Sequence, residues 1–320
     1  MKLNIVIPCF NEEEVLRESY KRFTQVLSCA DFDYSLIFVN DGSRDKTLEI
    51  LKELAAGDPA VQVLSFSRNF GHQNAVSAGL HHADGDAVVI IDADLQDPPE
   101  VIPEMVKRWQ QTGSNIVYAV RESRKGESFF KLITAKMFYR TLNMLSEYRF
   151  PVDTGDFRLI DRQVLDAFLQ FPEKHKYLRG LFSWMGFKQE PFYYKRDERF
   201  AGETKYSFGK MIKLASAGIF GFSKKPLKLA ISLGVFCILF AVLLVLWMLF
   251  LNIFRPEQIV PGWSSTIFIV LLMGGIQLFT IGILGEYIGN IFDETKNRPE
   301  YLIQEKINFN GSDKGHSINK

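Results

Sequence analysis

Residues 87–97 read AVVIIDADLQD. The first five positions are apolar without a break, as in a strand covered on both faces. Such strands belong to parallel sheets flanked by helices, and ligands there bind beyond the C-terminal strand ends. Asp92 and Asp94 follow at once, two residues apart, so in extended backbone both point to one side. Paired carboxylates at a ligand-binding edge suit a hard divalent cation, Mg2+ or Mn2+, that also binds phosphate oxygens. Gln96 and Asp97 extend the cluster. An isolated Asp-x-Asp is common, and a solvated acidic loop is the plain alternative. The buried strand in front of this one gives it weight.

Upstream, apolar runs at Leu3–Pro8, Tyr34–Val39 and Val61–Ser65 predict three more strands. Helical spacing over 12–27, 46–56 and 74–82 alternates with them, which predicts a mostly parallel α/β sheet. The first strand ends in Pro8, Phe10, Asn11 and Glu12. The second ends in Asn40-Asp41-Gly42-Ser43, a turn with a helix cap at Ser43 or Asp45. Both loops would flank the Asp-x-Asp. Phe10 could stack on a base, and Asp41 could accept from a base N–H or a ribose hydroxyl. The dinucleotide glycine motif is absent after the first strand, and no GxxxxGK[ST] occurs, so a Rossmann dehydrogenase and a P-loop enzyme are disfavoured.

The charges are unevenly spread over the 320 residues. Between 227 and 292 only Lys228, Arg255, Glu257 and Glu286 are charged, and 229–254 and 258–285 carry no charge at all. A bilayer core needs about 20 apolar helical residues, so residues 226–292 are expected to form two transmembrane helices. A mean hydropathy of −0.01 hides this split. Lys210, Lys213, Lys224, Lys225 and Lys228 precede the pair, Lys296 and Arg298 follow it, and the connecting loop holds only Arg255. Positive-inside bias places residues 1–225 and the 293–320 tail in the cytoplasm, at the plasma (inner) membrane. The N-terminus shows no signal-peptide pattern. Residues 304–320 are polar and are expected to lack structure. A net charge of +1 argues against nucleic acid as a partner. Three cysteines without metal-site spacing argue against a disulfide framework or a zinc module.

Together PCFNEEE (8–14), VNDGSRDKT (39–47), SRNFGHQNAVSAGL (67–80), IIDADLQDPPE (90–100), TGDFRLIDR (154–162), RFAGETKYS (199–207) and GEYIGNIFDETKNRPEY (285–301) resemble the polyprenyl-phosphate glycosyltransferases. These are family-2 glycosyltransferases with a GT-A domain. The resemblance runs over about 3–303 and includes the two-helix segment. It implies a nucleotide-sugar donor, a metal and a polyprenyl phosphate acceptor. By position, nucleotide contacts fall on Pro8, Phe10, Asn11, Glu12, Asp41, Ser43 and Asp92. The metal and diphosphate site falls on Asp92, Asp94 and Gln96. Asp156 matches the acidic residue near the reacting sugar, and Arg199 and Lys205 match a basic loop over phosphate. His72 stands where relatives often have Lys, and Thr204 where they often have Ser.

Two stretches, about 128–148 and 207–225, combine apolar stripes with Lys and Arg, which predicts interfacial amphipathic helices. Core packing is the alternative for each. Arg121, Arg124 and Lys131 are then candidates for the acceptor phosphate. The expected reaction is inverting transfer of a hexose, glucose from UDP by resemblance, to undecaprenyl phosphate. Mannose or an amino sugar is the alternative, with guanosine as the second nucleotide. Asp156 is the candidate base. A processive polysaccharide synthase would need QxxRW, but Met105 stands where Gln should precede Arg108-Trp109. A non-catalytic sugar-nucleotide sensor and a flippase are further rivals. Gly274, Gly275, Gly282, Gly285 and Gly289 offer small-residue helix faces, which makes a homo-oligomer plausible.

Overall fold

The computed structural model of the chain describes residues 1–121, 154–174, 176–195, 223–254 and 262–309. One compact unit holds the sheet with its helices and includes the chain from Pro299 onward. The other holds the two long apolar helices.

The sheet begins as the apolar runs predict, with β1 (Lys2–Cys9), β2 (Asp33–Asn40), β3 (Val61–Phe66) and β4 (Ala87–Ile90). Between them lie α1 (Leu16–Leu27), α2 (Thr47–Gly57) and α3 (His72–His82). Then come α4 (Ile102–Thr112), β5 (Ile116–Arg121), β6 (Thr154–Asp161), α5 (Arg162–Phe168), α6 (Leu178–Trp184) and β7 (Gln189–Tyr194). With β8 formed by Ile303–Ile307, the spatial order is β7-β5-β6-β4-β1-β2-β3-β8. β4, β1, β2 and β3 run parallel, and β6 lies antiparallel to β4. β1 leads outward to β2 on one side and adjoins β4 on the other. The crevice past their C-terminal ends is therefore a topological switch point, where open α/β sheets bind ligands.

Burial explains the strands. All four residues of β4 are buried, and Leu3, Ile5, Leu36, Phe38, Val61, Val63, Ala87 and Val89 belong to one core cluster. Gly79 lets α3 approach β1, since a Cβ there would lie 2.3 Å from Val6 Cγ1. The first helix starts at Leu16 rather than at Glu12. The N–H groups of Asn11, Glu12 and Glu13 donate instead to Ser43 Oγ (3.0 Å), Thr47 Oγ1 (2.9 Å) and Asp45 Oδ2 (3.2 Å). The loop after β2 thereby captures donors that would otherwise open a helix.

In the second unit, α7 (Lys225–Phe254) and α8 (Trp263–Thr295) are each long and apolar enough to cross a membrane. Their large side chains point outward, as with Ile253 at 70% and Leu278 at 72% exposure, unlike those of core helices in a soluble domain. Tyr287 Oη donates to the Ser223 carbonyl at 2.6 Å.

The tail corrects the sequence expectation. Against the expectation for 304–320, Ile303–Ile307 forms β8, which pairs antiparallel with β3 at the sheet edge, while 310–320 lies outside the described residues. Its residues alternate between half-buried and exposed, so Ile303, Glu305 and Ile307 face inward and Gln304 and Lys306 outward. The Tyr301 ring stacks on Phe66 with centroids 5.0 Å apart. Glu300 pairs with the buried Lys176 and accepts from Ser77 Oγ at 3.1 Å. The 128–148 stretch and residues 207–222 lie outside the described residues.

Candidate active site

Asp92, Asp94 and Gln96 are half-buried, alternating with the buried Ile91, Ala93, Leu95 and Asp97. The two carboxylates are close enough for Asp94 to act on Asp92, but they sit in a turn beyond β4, which ends at Ile90, and not in extended backbone. The backbone bends at Leu95 (φ 57°), and Asp94 Oδ1 accepts from Gln96 N at 3.1 Å. Asp97 turns the other way. It is buried and takes a hydrogen bond from Tyr194 Oη, so it belongs to the support beneath the loop.

Burial pushes the Asp92 carboxyl up to about 6. His72 opposes the shift, and Asp94, Asp97 and Asp156 add to it. A carboxylate crowded by others gains from a nearby cation, so Asp92 and Asp94 fit a divalent ion. Mg2+ in particular is commonly held by one or two carboxylates plus substrate phosphates. Gln96 stands beside them with a neutral amide. No cluster of three or more His, Cys, Asp or Glu with metal-binding geometry occurs among the described residues. The donor set is therefore suited to a metal that shares its coordination with substrate.

Asp156, on β6, is 9% exposed. Arg179, on α6, grips it at two points, Nε to Oδ1 at 2.7 Å and Nη2 to Oδ2 at 3.2 Å. His72 Nε2, at the start of α3, lies 3.2 Å from Asp156 Oδ2 and 3.9 Å from Asp92 Oδ1. Burial alone would raise the Asp156 carboxyl, but Arg179 and His72 override it and hold it well below the usual carboxylate range. Burial pulls the His72 imidazole down. The hydrogen bond to Asp156 and the charges of Asp92 and Asp156 outweigh that and lift it to about 9. Near neutral pH the cluster therefore carries an imidazolium and a guanidinium around one carboxylate. Behind it, the buried Arg158 lies 4.9 Å over the Phe182 ring.

Past the ends of β1, β2 and β3 lies a cavity of about 480 Å³, lined by Phe10, Asn11, Ser43, Arg68, Asn69 and others. Asp41 does not face it freely. The carboxylate is 3% exposed and accepts from Phe70 N (2.6 Å), Gly71 N (2.9 Å) and Asn69 Nδ2 (2.8 Å). It shapes the loop before α3. Gly42, at φ 62°, lets that loop close, since a Cβ there would meet the Arg68 carbonyl carbon at 2.3 Å. Pro8 ends inside β1 as a buried residue, and Glu12 is half-buried at the loop. Arg121 closes β5, with its Nε buried and without a hydrogen-bond partner. Arg124, Lys131, Arg199 and Lys205 lie outside the described residues.

His72 appeared in the sequence only as a departure from a pattern, and Arg179 gave no sequence signal at all. Each reaches the site through tertiary structure, across 84 and 23 residues from Asp156.

Comparison with known proteins identifies the family. Residues 4–169 match glycosyl transferase family 2, and residues 225–291 match the GtrB C-terminal hairpin. A Bacillus subtilis protein named as the uncharacterized glycosyltransferase YkcC is 51% identical over 95% of this chain and 94% of its own. The SfII prophage-derived bactoprenol glucosyl transferase of Shigella flexneri is 41% identical over 95% of this chain and 98% of its own. Among solved structures, mannosyl-3-phosphoglycerate synthase from Rubrobacter xylanophilus aligns over 68% of this chain and 71% of its own, at 15% identity and a TM-score of 0.48. The chain belongs to glycosyl transferase family 2, with the two-helix hairpin of the GtrB type at its C-terminal end.

Proposed function

We propose that the protein transfers a hexose, glucose in the first instance, from a uridine diphosphate sugar to a polyprenyl phosphate at the membrane surface. One observation carries the reading. His72 stands between Asp156 and Asp92, so the carboxylate motifs of β4 and β6 meet at a single point beside the nucleotide cavity. The bactoprenol glucosyl transferase relatives supply the acceptor class and the sugar.

In the proposed step the acceptor phosphate oxygen attacks the anomeric carbon opposite the leaving group. A C–O bond forms there as the bond to the nucleoside diphosphate breaks, with inversion. A divalent ion at Asp92 and Asp94 would neutralise charge on the leaving diphosphate when bound. Phe10 and Asn11 border the nucleotide, and Ser43 holds the Asn11 backbone. Asp156 orients Arg179 and His72, whose positive charges face the reacting phosphates. A carboxyl held this low is a weak base, and a phosphate monoester with a second pKa of about 6 needs none near neutral pH. Arg121 is the described candidate for the acceptor phosphate. Arg124, Lys131, Arg199 and Lys205 complete that set by sequence.

The assay is direct. Purified full-length protein with undecaprenyl phosphate and Mg2+ should consume UDP-glucose and form a glucosyl lipid phosphate with release of UDP. Consumption of a GDP-sugar or a UDP-amino sugar alone would replace the donor assignment, and no lipid product from any donor would end the reading.

We further propose that the catalytic unit and both termini face the cytoplasm at the plasma membrane, on the Lys and Arg bias around the two helices. The open glycines Gly285 and Gly289 of α8 would serve packing in a homo-oligomer. In intact cells, single cysteines placed at Lys46 and Lys306 of a cysteine-free variant should both resist a membrane-impermeant thiol reagent. Labelling of either would reverse the topology.

A further inference from the structure

The tail that returns from α8 carries one irregularity. In the β3–β8 ladder, Val63, Leu64 and Ser65 face Ile307, Lys306 and Glu305 in turn, and then Phe66 faces Ile303. Gln304 is left without a partner residue, as the extra residue of a β-bulge. Bulges re-aim side chains and recur beside active sites. Gln304 lines the 480 Å³ cavity together with Phe10, Asn11, Ser43 and Arg68.

The amides around that cavity are not equivalent. Asn40 donates to Ser65 Oγ (2.9 Å) and accepts from Ser43 N (3.2 Å). Asn69 donates to Asp41, and Asn11 Oδ1 accepts from Arg44 N (2.9 Å). The Gln304 side-chain amide makes no hydrogen bond among the described residues. Its backbone is nevertheless fixed on both sides. Ser67 N donates to the Leu302 carbonyl (3.0 Å), Lys52 pairs with Glu305 (2.7 Å), and Asn308 Nδ2 donates to the carbonyls of Ala55 (2.7 Å) and Val61 (2.9 Å). A free amide on a rigid frame is preorganised for a ligand.

We propose that Gln304 reads the base of the donor nucleotide. The inference rests on the nucleotide-sugar reading above and deepens it. The cavity lies at β2 and β3, two and three strands from the Asp92 strand, or about 10–14 Å at ordinary strand spacing. That places it at the nucleoside end of a donor whose diphosphate lies at Asp92 and Asp94. A glutamine amide offers an acceptor and donors side by side, which complements the imide edge of uracil, an N–H flanked by carbonyls. The donor site is then completed by a residue that follows the second apolar helix in the chain.

Titration calorimetry of the detergent-solubilised full chain with UDP, GDP and CDP, Mg2+ present throughout, tests this. Gln304→Ala should weaken UDP about tenfold, equivalent to about 1.4 kcal/mol. GDP and CDP should change less, so that the preference for UDP shrinks. Glu53→Gln, which disturbs an exposed ion pair with Arg17 away from the cavity and from β8, should bind UDP as the wild type does. Wild-type affinity in Gln304→Ala, or an equal loss for all three nucleotides, would overturn the base contact while leaving the donor reading intact. A wild type that prefers GDP removes the uracil assignment. A wild type that binds none of the three ends both readings.

Discussion

Asp94→Ala is expected to lower sugar transfer about 10³-fold or more, while the protein stays folded and keeps its melting temperature or gains slightly. The two effects separate because Asp94 does different things in the two states. In the free protein it is half-buried, accepts a hydrogen bond from Gln96 N, and adds repulsion to a crowded Asp92. Removing it relieves that repulsion, so folding loses little. In the reaction it is one of the two carboxylates proposed to hold a divalent ion against the leaving diphosphate. Losing a preorganised charge at such a point typically costs 10²–10³ in rate, and metal loss would add to that. Nucleotide binding gives an independent check. UDP affinity should rise with Mg2+ in the wild type, fall with EDTA, and be indifferent to both in the variant. Turnover retained in Asp94→Ala with metal present would remove the metal role from this motif.

The parts of this molecule that were legible in sequence share a physical property. They are local. The unbroken apolar runs of β1 and β4 signal strands buried on both faces, and Asp92 and Asp94 are placed by the strand directly before them. The long helices are legible because lipid tolerates almost no charge over their length. What sequence concealed depends on distant partners. β8 reads as polar tail because Glu305 and Lys306 dilute its two isoleucines. It becomes a strand only because β3 would otherwise leave an open edge, and because Tyr301 finds Phe66. The start of α1 was misplaced because Ser43, Asp45 and Thr47 take the N–H groups at 11–13. In the site itself the carboxylates were legible and their cations were not. Arg179 sits on a short helix with nothing around it to mark it. Asp41, whose position after β2 suggested a base contact, has its oxygens engaged by Phe70 N, Gly71 N and the Asn69 side chain, a tertiary arrangement that the local sequence does not signal.

Asp156→Asn should be damaging in two separable ways. Asp156 is the only carboxylate within hydrogen-bond reach of both Arg179 and His72 among the described residues, and Arg158 lies behind it. Neutralising it leaves these cations facing one another in a nearly dry site. Breaking one side of such a pair costs about 3 kcal/mol or more. The sign of the pH dependence follows from its depressed carboxyl. The stabilisation it gives is complete above the unfolded value of about 3.9 and is lost as pH falls through the lower folded value. The melting-temperature gap between wild type and variant should therefore widen from pH 8 to about 6, as the His72 imidazolium that Asp156 holds up to about 9 gains its full contribution, hold to about 5, and close below about 4. Transfer should fall about 10²-fold, because the two cations lose their common anchor and misplace the phosphates. The acidic limb of the pH–rate profile should survive in the variant, since Asp156 is already ionised across that range and the limb belongs to the acceptor phosphate near its second pKa of about 6. Loss of that limb in Asp156→Asn would instead make Asp156 the titrating base. A variant as stable as wild type at pH 7 would mean that Arg179 and His72 do not depend on it.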